Sequence, residues 1–482
     1  MRNLTQQALE SARRAGATYA DIRIIENRQE FLSVKKGNVD TVSSGRSHGF
    51  GLRVIADGAW GFASSSRLEA AEIDRVADLA VRIARASALT KKTEVRLAPV
   101  EAVDDRWNSN PKIDPFAVKT EEKLGFLLDV DKRLKGSPEI RVTQAQIQAL
   151  GEKKIFASTE GSYIEQQLTQ TGGAIYAYAA AEGEVQLRSY PALFGGDFAL
   201  KGYEHIEELD FLTEAERVGR EAGQLVKAEQ CPSGRRDLII SGSHLALQLH
   251  ESCGHPIELD RVLGTEAGLV GKSFLTLDKF RSGYRYGSEA VSIFADSTIP
   301  GANGSLGYDD EGVPAQRTQI VDCGEFVGYL TSRETAPAIG QTSNGAMMAN
   351  GWDQIPLVRM TNVCLEPGDW TLDEMIKDTK DGLLLDLSTS YSIDDRRYNF
   401  QFSTEVAWEI KDGSITRMLK NPTYTSVTPE FWGSCDAVAG KDEWKVWGIP
   451  NCGKGEPMQP IRVGHGTAPA RFRQVKVGVG KW

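Results

Sequence analysis

A chain of 482 residues, 40% hydrophobic and 25% charged, has the make-up of a soluble globular protein with roughly two to four domains. Its net charge of −10 disfavours a nucleic-acid partner, which usually needs a basic field. No run approaches the ~20 apolar residues of a membrane span, and MRNLTQQALESARRAG at the start has no apolar signal-peptide core.

The six cysteines (Cys231, Cys253, Cys323, Cys364, Cys435, Cys452) are too scattered for a disulfide framework. A cytoplasmic protein with reduced thiols is the expectation. No P-loop and no G-x-G-x-x-G opens a helix after a strand, so no nucleotide cofactor is expected.

In chain order, Leu4 to Ala15 reads as a helix stopped at Gly16. Two strands follow, YADIRII and EFLSVKKG, and GFGLRVIADGAWGFA reads as a hairpin turning at Asp57-Gly58. Ser66-Arg67-Leu68-Glu69 has the form of a capping box opening a helix. Glu121 to Lys135 is amphipathic, residues 139–202 alternate as an antiparallel meander, and Ile206 to Ala228 reads as one charged helix. The polar stretch EQCPSGRR, Glu229 to Arg236, marks a domain boundary. Beyond it come the apolar strand DLIIS and a helix with Ser243 as N-cap. From about Val291 short strands dominate. RTQIVDCGEFVGYLTS and EVAWEIKDGSITRML look like hairpins, and a short helix is expected near Leu372–Lys380.

The helix after DLIIS runs into QLHESCGHPIELD, where His250 and His255 flank Glu251. Zinc-binding H-E-x-x-H relies on histidines four apart on one helix face. Here they are five apart, an offset of about 140° on a regular helix. Gly254 should end the helix, and Pro256 should push His255 out of the α region. A turn would then bring the second imidazole back beside the first. A catalytic zinc site needs a third protein ligand. Cys253 and Glu258 are near in sequence; Cys435, Cys452 and His465 lie far along the chain. Cys452 stands out, since Gly453 and Gly455 in NCGKGEPMQP permit close backbone approach.

H-E-x-x-x-H followed about 200 residues later by C-G-K-G resembles the TldD/PmbA metallopeptidase family, on its TldD-like, zinc-containing branch. The resemblance extends over nearly the whole chain, through ADIRI, GFGLRVIADGAWGFAS, DDEGVPAQRT, TSRETA and VRMTN. It implies His250, His255 and Cys452 as zinc ligands and Glu251 as catalytic base. It implies an α+β protein: an N-terminal mixed α/β domain with an antiparallel sheet over residues 1–230, and a C-terminal β-rich domain over 231–482 that carries the motif helix. It also implies an enclosed cleft for extended peptides, and a homodimer or a heterodimer with a PmbA-like subunit.

The expected activity is zinc-dependent hydrolysis of unstructured peptides or small unfolded proteins. Zinc would acidify a water and polarise the carbonyl, while Glu251 moves the proton to the leaving amine. The alternatives are a binding subunit that modulates a partner such as DNA gyrase, or a purely structural zinc site. His465 is placed in the cleft wall as a substrate contact, against a satisfied loop histidine. Asp309-Asp310-Glu311 is read as a solvated loop. Arg396-Arg397 could meet a substrate carboxylate, a surface salt bridge being the plainer reading.

Overall fold

The computed structural model describes residues 1–192, 195–268 and 271–478. Leu193 and Phe194, within the expected 139–202 meander, lie outside them. Among the described residues the architecture is α+β, built on two eight-stranded sheets.

The first sheet is antiparallel apart from one edge strand, Asp104–Asn108. Its centre is four long strands: Asn38–Ala56, Tyr19–Lys35, Ile140–Ser158 and Tyr163–Ala181. The expected pair YADIRII and EFLSVKKG is one strand, because Glu26–Gln29 keep an unbroken ladder with residues on both sides. Side chains alternate across it. Ile22, Ile24, Leu52 and Val54 pack under the helices Arg2–Ala15 and Ala70–Ala88. Asp21, Arg23, Arg53 and Lys154 project to the other face; Asp21 holds Arg53, and the three cations meet the C-terminal half.

That meeting corrects the loop reading. Asp309, Asp310 and Glu311 are buried, not solvated. Asp310 pairs with Lys154 at 2.9 Å and lies 3.6 Å from Arg23; Glu311 pairs with Arg53 at 3.3 Å. The chain turns there as expected, but Asp310 and Glu311 turn inward onto cations, while the Asp309 carboxylate accepts from the N–H groups of Glu311, Val313 and Met347.

Other local expectations shift too. The capping box does not form: the helix starts at Ala70, and Glu72 instead gathers Ser65, Arg67 and Arg75. The helix expected over 206–228 is two, Glu204–Glu208 and Phe211–Leu225, broken where Asp210 takes φ 46°. The hairpin turns at Asp57-Gly58 and Asp412-Gly413 form with positive φ at both residues.

The second sheet begins inside the EQCPSGRR stretch, where Glu229–Gln230 forms an edge strand. Strand Gly234–Ile240 lies between Asp381–Ile393 and Ala470–Gly478. Asp381–Ile393 also pairs with Asn399–Lys411, so five of the strands close on themselves. The largest core cluster fills this half and encloses the motif helix. No helix among the described residues is long and apolar enough to cross a membrane.

Candidate metal centre

Strand Gly234–Ile240 ends at Ser241, and helix Gly242–Leu249 starts at once, so the motif leaves the sheet on a short, rigid link. The N-cap is Ser241, with no side-chain cap bond; Ser243 is the second helical residue and points its hydroxyl at Asp386. The helix does not end at the motif. It widens into one π-helical turn, His250–Gly254, closed by His255 N–H donating to His250 O at 3.1 Å.

This turn answers the spacing problem. A π turn returns after five residues rather than four. The extra residue of H-E-x-x-x-H is absorbed, and the two imidazoles face each other with ring centroids 4.8 Å apart. His255 therefore stays helical, at φ −67° and ψ −41°, against the expectation that Pro256 would extend it. The clash before proline is a preference, and buried packing overrides it here. Gly254 is needed for space rather than for a left-handed turn: a Cβ there would sit 2.1 Å from Met360 Sδ.

Cys452 comes from the hairpin Lys445–Lys454 and Gln459–Thr467. The ladder slips between Ile449 and Cys452, where Pro450 has no N–H to donate. Such a bulge re-aims the side chain beyond it. Arg359 secures the bend by donating to Cys452 O and, at 2.8 Å, to Gln459 O. Cys452 Sγ lies 3.8 Å from His255 Nε2. Donor atoms of His250, His255 and Cys452 all fall within 4.8 Å of one another, so a small side-chain movement would let them share one cation.

Hydrogen bonds set which atoms can ligate. Glu258 accepts from His255 Nδ1 at 3.1 Å, which leaves the Nε2 lone pair facing Cys452. Arg261 and Lys454 converge on Glu258, and Lys454 also pairs with Asp260 at 2.7 Å. The lysine of C-G-K-G thus balances acidic charge behind the second histidine. Burial alone would raise the Cys452 thiol; neighbouring His255 and Arg359 outweigh it and bring it below the usual range. Burial pushes the His250 and His255 imidazoles down, toward the neutral form that ligates. Two imidazoles and an acidified thiol form a donor set suited to zinc rather than magnesium or calcium.

A cavity of about 340 Å³ opens beside this group, lined by His250, Glu251, His255 and Cys452. Asp197 of the N-terminal half contributes to its wall, with Tyr391 and Arg397. Glu251 is 4% exposed and accepts from Arg397 at 3.1 Å.

Family models for the PmbA/TldA metallopeptidases match domain 1 over residues 20–84, the central domain over 113–229 and the C-terminal domain over 233–479. The chain belongs to the PmbA/TldA metallopeptidase family. It is 32% identical to a metalloprotease of Methanocaldococcus jannaschii, covering 93% of this chain and 95% of that one. It is 22% identical to a zinc metalloprotease TldD homolog of Saccharolobus solfataricus over 98% of both chains. The fold is that of TldE from Thermococcus kodakarensis, with a TM-score of 0.74 and 16% identity over 99% of this chain and 100% of the other.

Within this family member the other expected residues go elsewhere. Cys253 and Cys435 lie in the core, their thiols pushed up to about 12 by burial. Glu258 stands behind His255. His465 does not reach the cavity; it is fully buried behind His250, its Nε2 2.8 Å from His250 Nδ1. Arg397 is no surface salt bridge but a partner of Glu251 in the cavity wall. Tyr391 was passed over in sequence. It is 43% exposed at the cavity; its partial burial and the Glu251 charge hold its proton on, and STSYS in the sequence gave no signal of it.

Proposed function

We propose that the chain is a zinc-dependent peptidase acting on unstructured peptides or small unfolded proteins, with His250, His255 and Cys452 holding the metal. The observation that carries this reading is the convergence of those three donors, from a π turn and a distant hairpin, on a cavity that also exposes Glu251. When bound, zinc would supply Lewis acidity, which makes a carbonyl more electrophilic and a water more acidic.

The chain's own residues would do the rest. Glu251 accepts a proton from the attacking water and delivers it to the departing amine. Arg397 fixes the position of the carboxylate. The strand Asp381–Ile393 pairs with Gly234–Ile240 only as far as Leu385, and its next residues, Leu387, Ser388 and Tyr391, line the cavity. An extended peptide added along that edge would be held mainly through its backbone, giving broad sequence tolerance. Burial of the cavity between the two halves favours chains that can thread in over folded proteins.

The protein is expected to work in the cytoplasm as a dimer, with a second copy or a PmbA-like subunit. A structural metal site would fill every position with protein. Among the described residues the group holds three donors, and both nitrogens of the nearest further histidine, His465, are already used. A purely modulatory subunit would have no use for a carboxylate at this place.

Hydrolysis of an unfolded casein, with and without chelator, tests the proposal. Cleavage should stop on chelation, return with added zinc and be absent in Glu251→Ala. Cleavage that survives chelation, or a Glu251→Ala variant as active as the parent, would overturn it.

A further inference from the structure

His465 sits in a fixed relay. Its Nδ1 is 3.0 Å from Val363 O, and a carbonyl can only accept, so Nδ1 carries the proton. Neutral His465 then presents a lone pair at Nε2. That atom lies 2.8 Å from His250 Nδ1, so the proton between them belongs to His250. His250 is left with its lone pair on Nε2, the nitrogen that remains for a ligand.

We propose that His465 is a positioning residue: it sets the tautomer and ring angle of His250 and thereby the strength of metal binding. This rests on the reading of His250 as a ligand. It goes beyond that reading in assigning a role to a histidine that touches neither cavity nor metal.

The packing explains why the relay holds. Val363 belongs to the strand Val363–Leu365, and His465 to the hairpin that also supplies Cys452. One hairpin therefore presents a ligand to the site from one position and braces another ligand from behind. The two imidazoles stand at 84°, ring centroids 4.9 Å apart, so the bond rather than stacking defines their geometry. Partners of this kind orient ligating histidines and are typically worth about 10–100-fold in metal affinity.

The test uses the full chain and zinc alone, titrated against a competing chelator. His465→Leu removes the acceptor and should weaken zinc binding about 10–100-fold. His465→Gln places a carbonyl where Nε2 was and should stay within about threefold of the parent, a smaller loss than that range. Equal affinity in parent and Leu variant, or a Gln variant as weak as Leu, would overturn the proposal. Should the Leu variant fail to fold, ¹⁵N-histidine spectra of the metal-free parent decide. They must show His250 and His465 both protonated at Nδ1, and the opposite tautomer in either ring refutes the relay. His250→Ala is the control for the metal reading: if it binds zinc like the parent, the ligand assignment fails, whereas the spectra still judge His465.

Discussion

Arg397 Nη1 lies 3.1 Å from Glu251 Oε2, and both side chains border the same cavity. Glu251 is therefore neither a free surface charge nor an uncompensated buried one. Its neighbour in sequence, His250, belongs to the donor group, so the carboxylate is held one residue from the metal position. Glu251→Gln keeps the shape and removes the base. Zinc stoichiometry should be unchanged while kcat falls about 10²–10⁴-fold. Metal analysis beside peptide-cleavage kinetics checks this; loss of zinc together with activity would assign Glu251 to metal retention instead.

Arg397 pays for its position with a left-handed backbone, φ 64°. The turn is anchored by Arg397 N–H to Asp394 O at 2.8 Å, with Tyr398 and Asn399 N–H on the Asp394 carboxylate. Glycine accepts this φ and alanine does not, a difference of about 1 kcal/mol. Arg397→Gly should melt above Arg397→Ala, yet both should lose at least about tenfold in kcat, because a misplaced catalytic group is costly. Thermal melts and turnover together separate strain from charge. A Gly variant with parental turnover would show that the guanidinium is not needed.

Replacing Cys452 with serine exchanges a soft thiolate for a poor neutral donor. Zinc binding should weaken by about 100-fold or more, on the scale of a lost ligand rather than of an outer partner. Cys253→Ser and Cys435→Ser should leave zinc stoichiometry at the parental value, because both thiols are packed in the core away from the donor group. Chelator competition on the three variants checks the assignment. A Cys253 variant that loses metal while Cys452→Ser keeps it would reverse the roles.

The donor residues were legible in sequence because their chemistry is: two histidines around a glutamate, and a cysteine among glycines. Their geometry was not. The local rules at Gly254 and Pro256 argue for a broken helix, and a π turn depends on packing around Ser252, whose carbonyl is caught by Tyr286 and whose hydroxyl meets Trp432. Those partners lie 34 and 180 residues away. The same holds for Asp309 to Glu311: the turn is local, but the buried cations that claim it, Arg23, Arg53 and Lys154, come from strands far earlier in the chain. Arg397 reaches Glu251 through one long-range contact and His465 bridges His250 and Val363 through two, none of which any periodicity encodes.

Gly254 offers a direct probe of the π turn. A Cβ would meet Met360 Sδ at 2.1 Å in a fully buried site. Gly254→Ala should destabilise the fold by about 1–3 kcal/mol, the usual range for overpacking. Shortening the neighbour in Gly254→Ala/Met360→Ala should recover part of that loss, and zinc affinity should recover with it if the two rings return to register. Urea denaturation and zinc titration of the single and double variants form the cycle. A single variant as stable as the parent would mean that the backbone yields easily, and that the turn is not held by this contact.

Glu405 links the two halves and should make stability depend on pH. Arg188, fully buried, faces three carboxylates at once: Glu405 at 2.8 Å, Glu221 at 2.9 Å and Asp386 at 3.1 Å. Arg217 shares Glu221 at 3.1 Å, so two cations face three anions, and Glu405 is the most deeply enclosed of the three. Burial pushes its acid up to about 7, against the pull of Arg188 and Ser189. The unfolded value is near 4.3. Between those limits the folded protein keeps a proton that the unfolded chain has released. The contribution is thus complete below about 4.3 and is lost as pH rises through about 7, at no more than about 1.4 kcal/mol per pH unit. Glu405→Gln carries the neutral form at every pH. Its Tm relative to the parent should rise from pH 5 to about pH 7 and level off above it, while a difference that stays flat from pH 5 to pH 7 would mean Glu405 is ionised in the folded protein throughout.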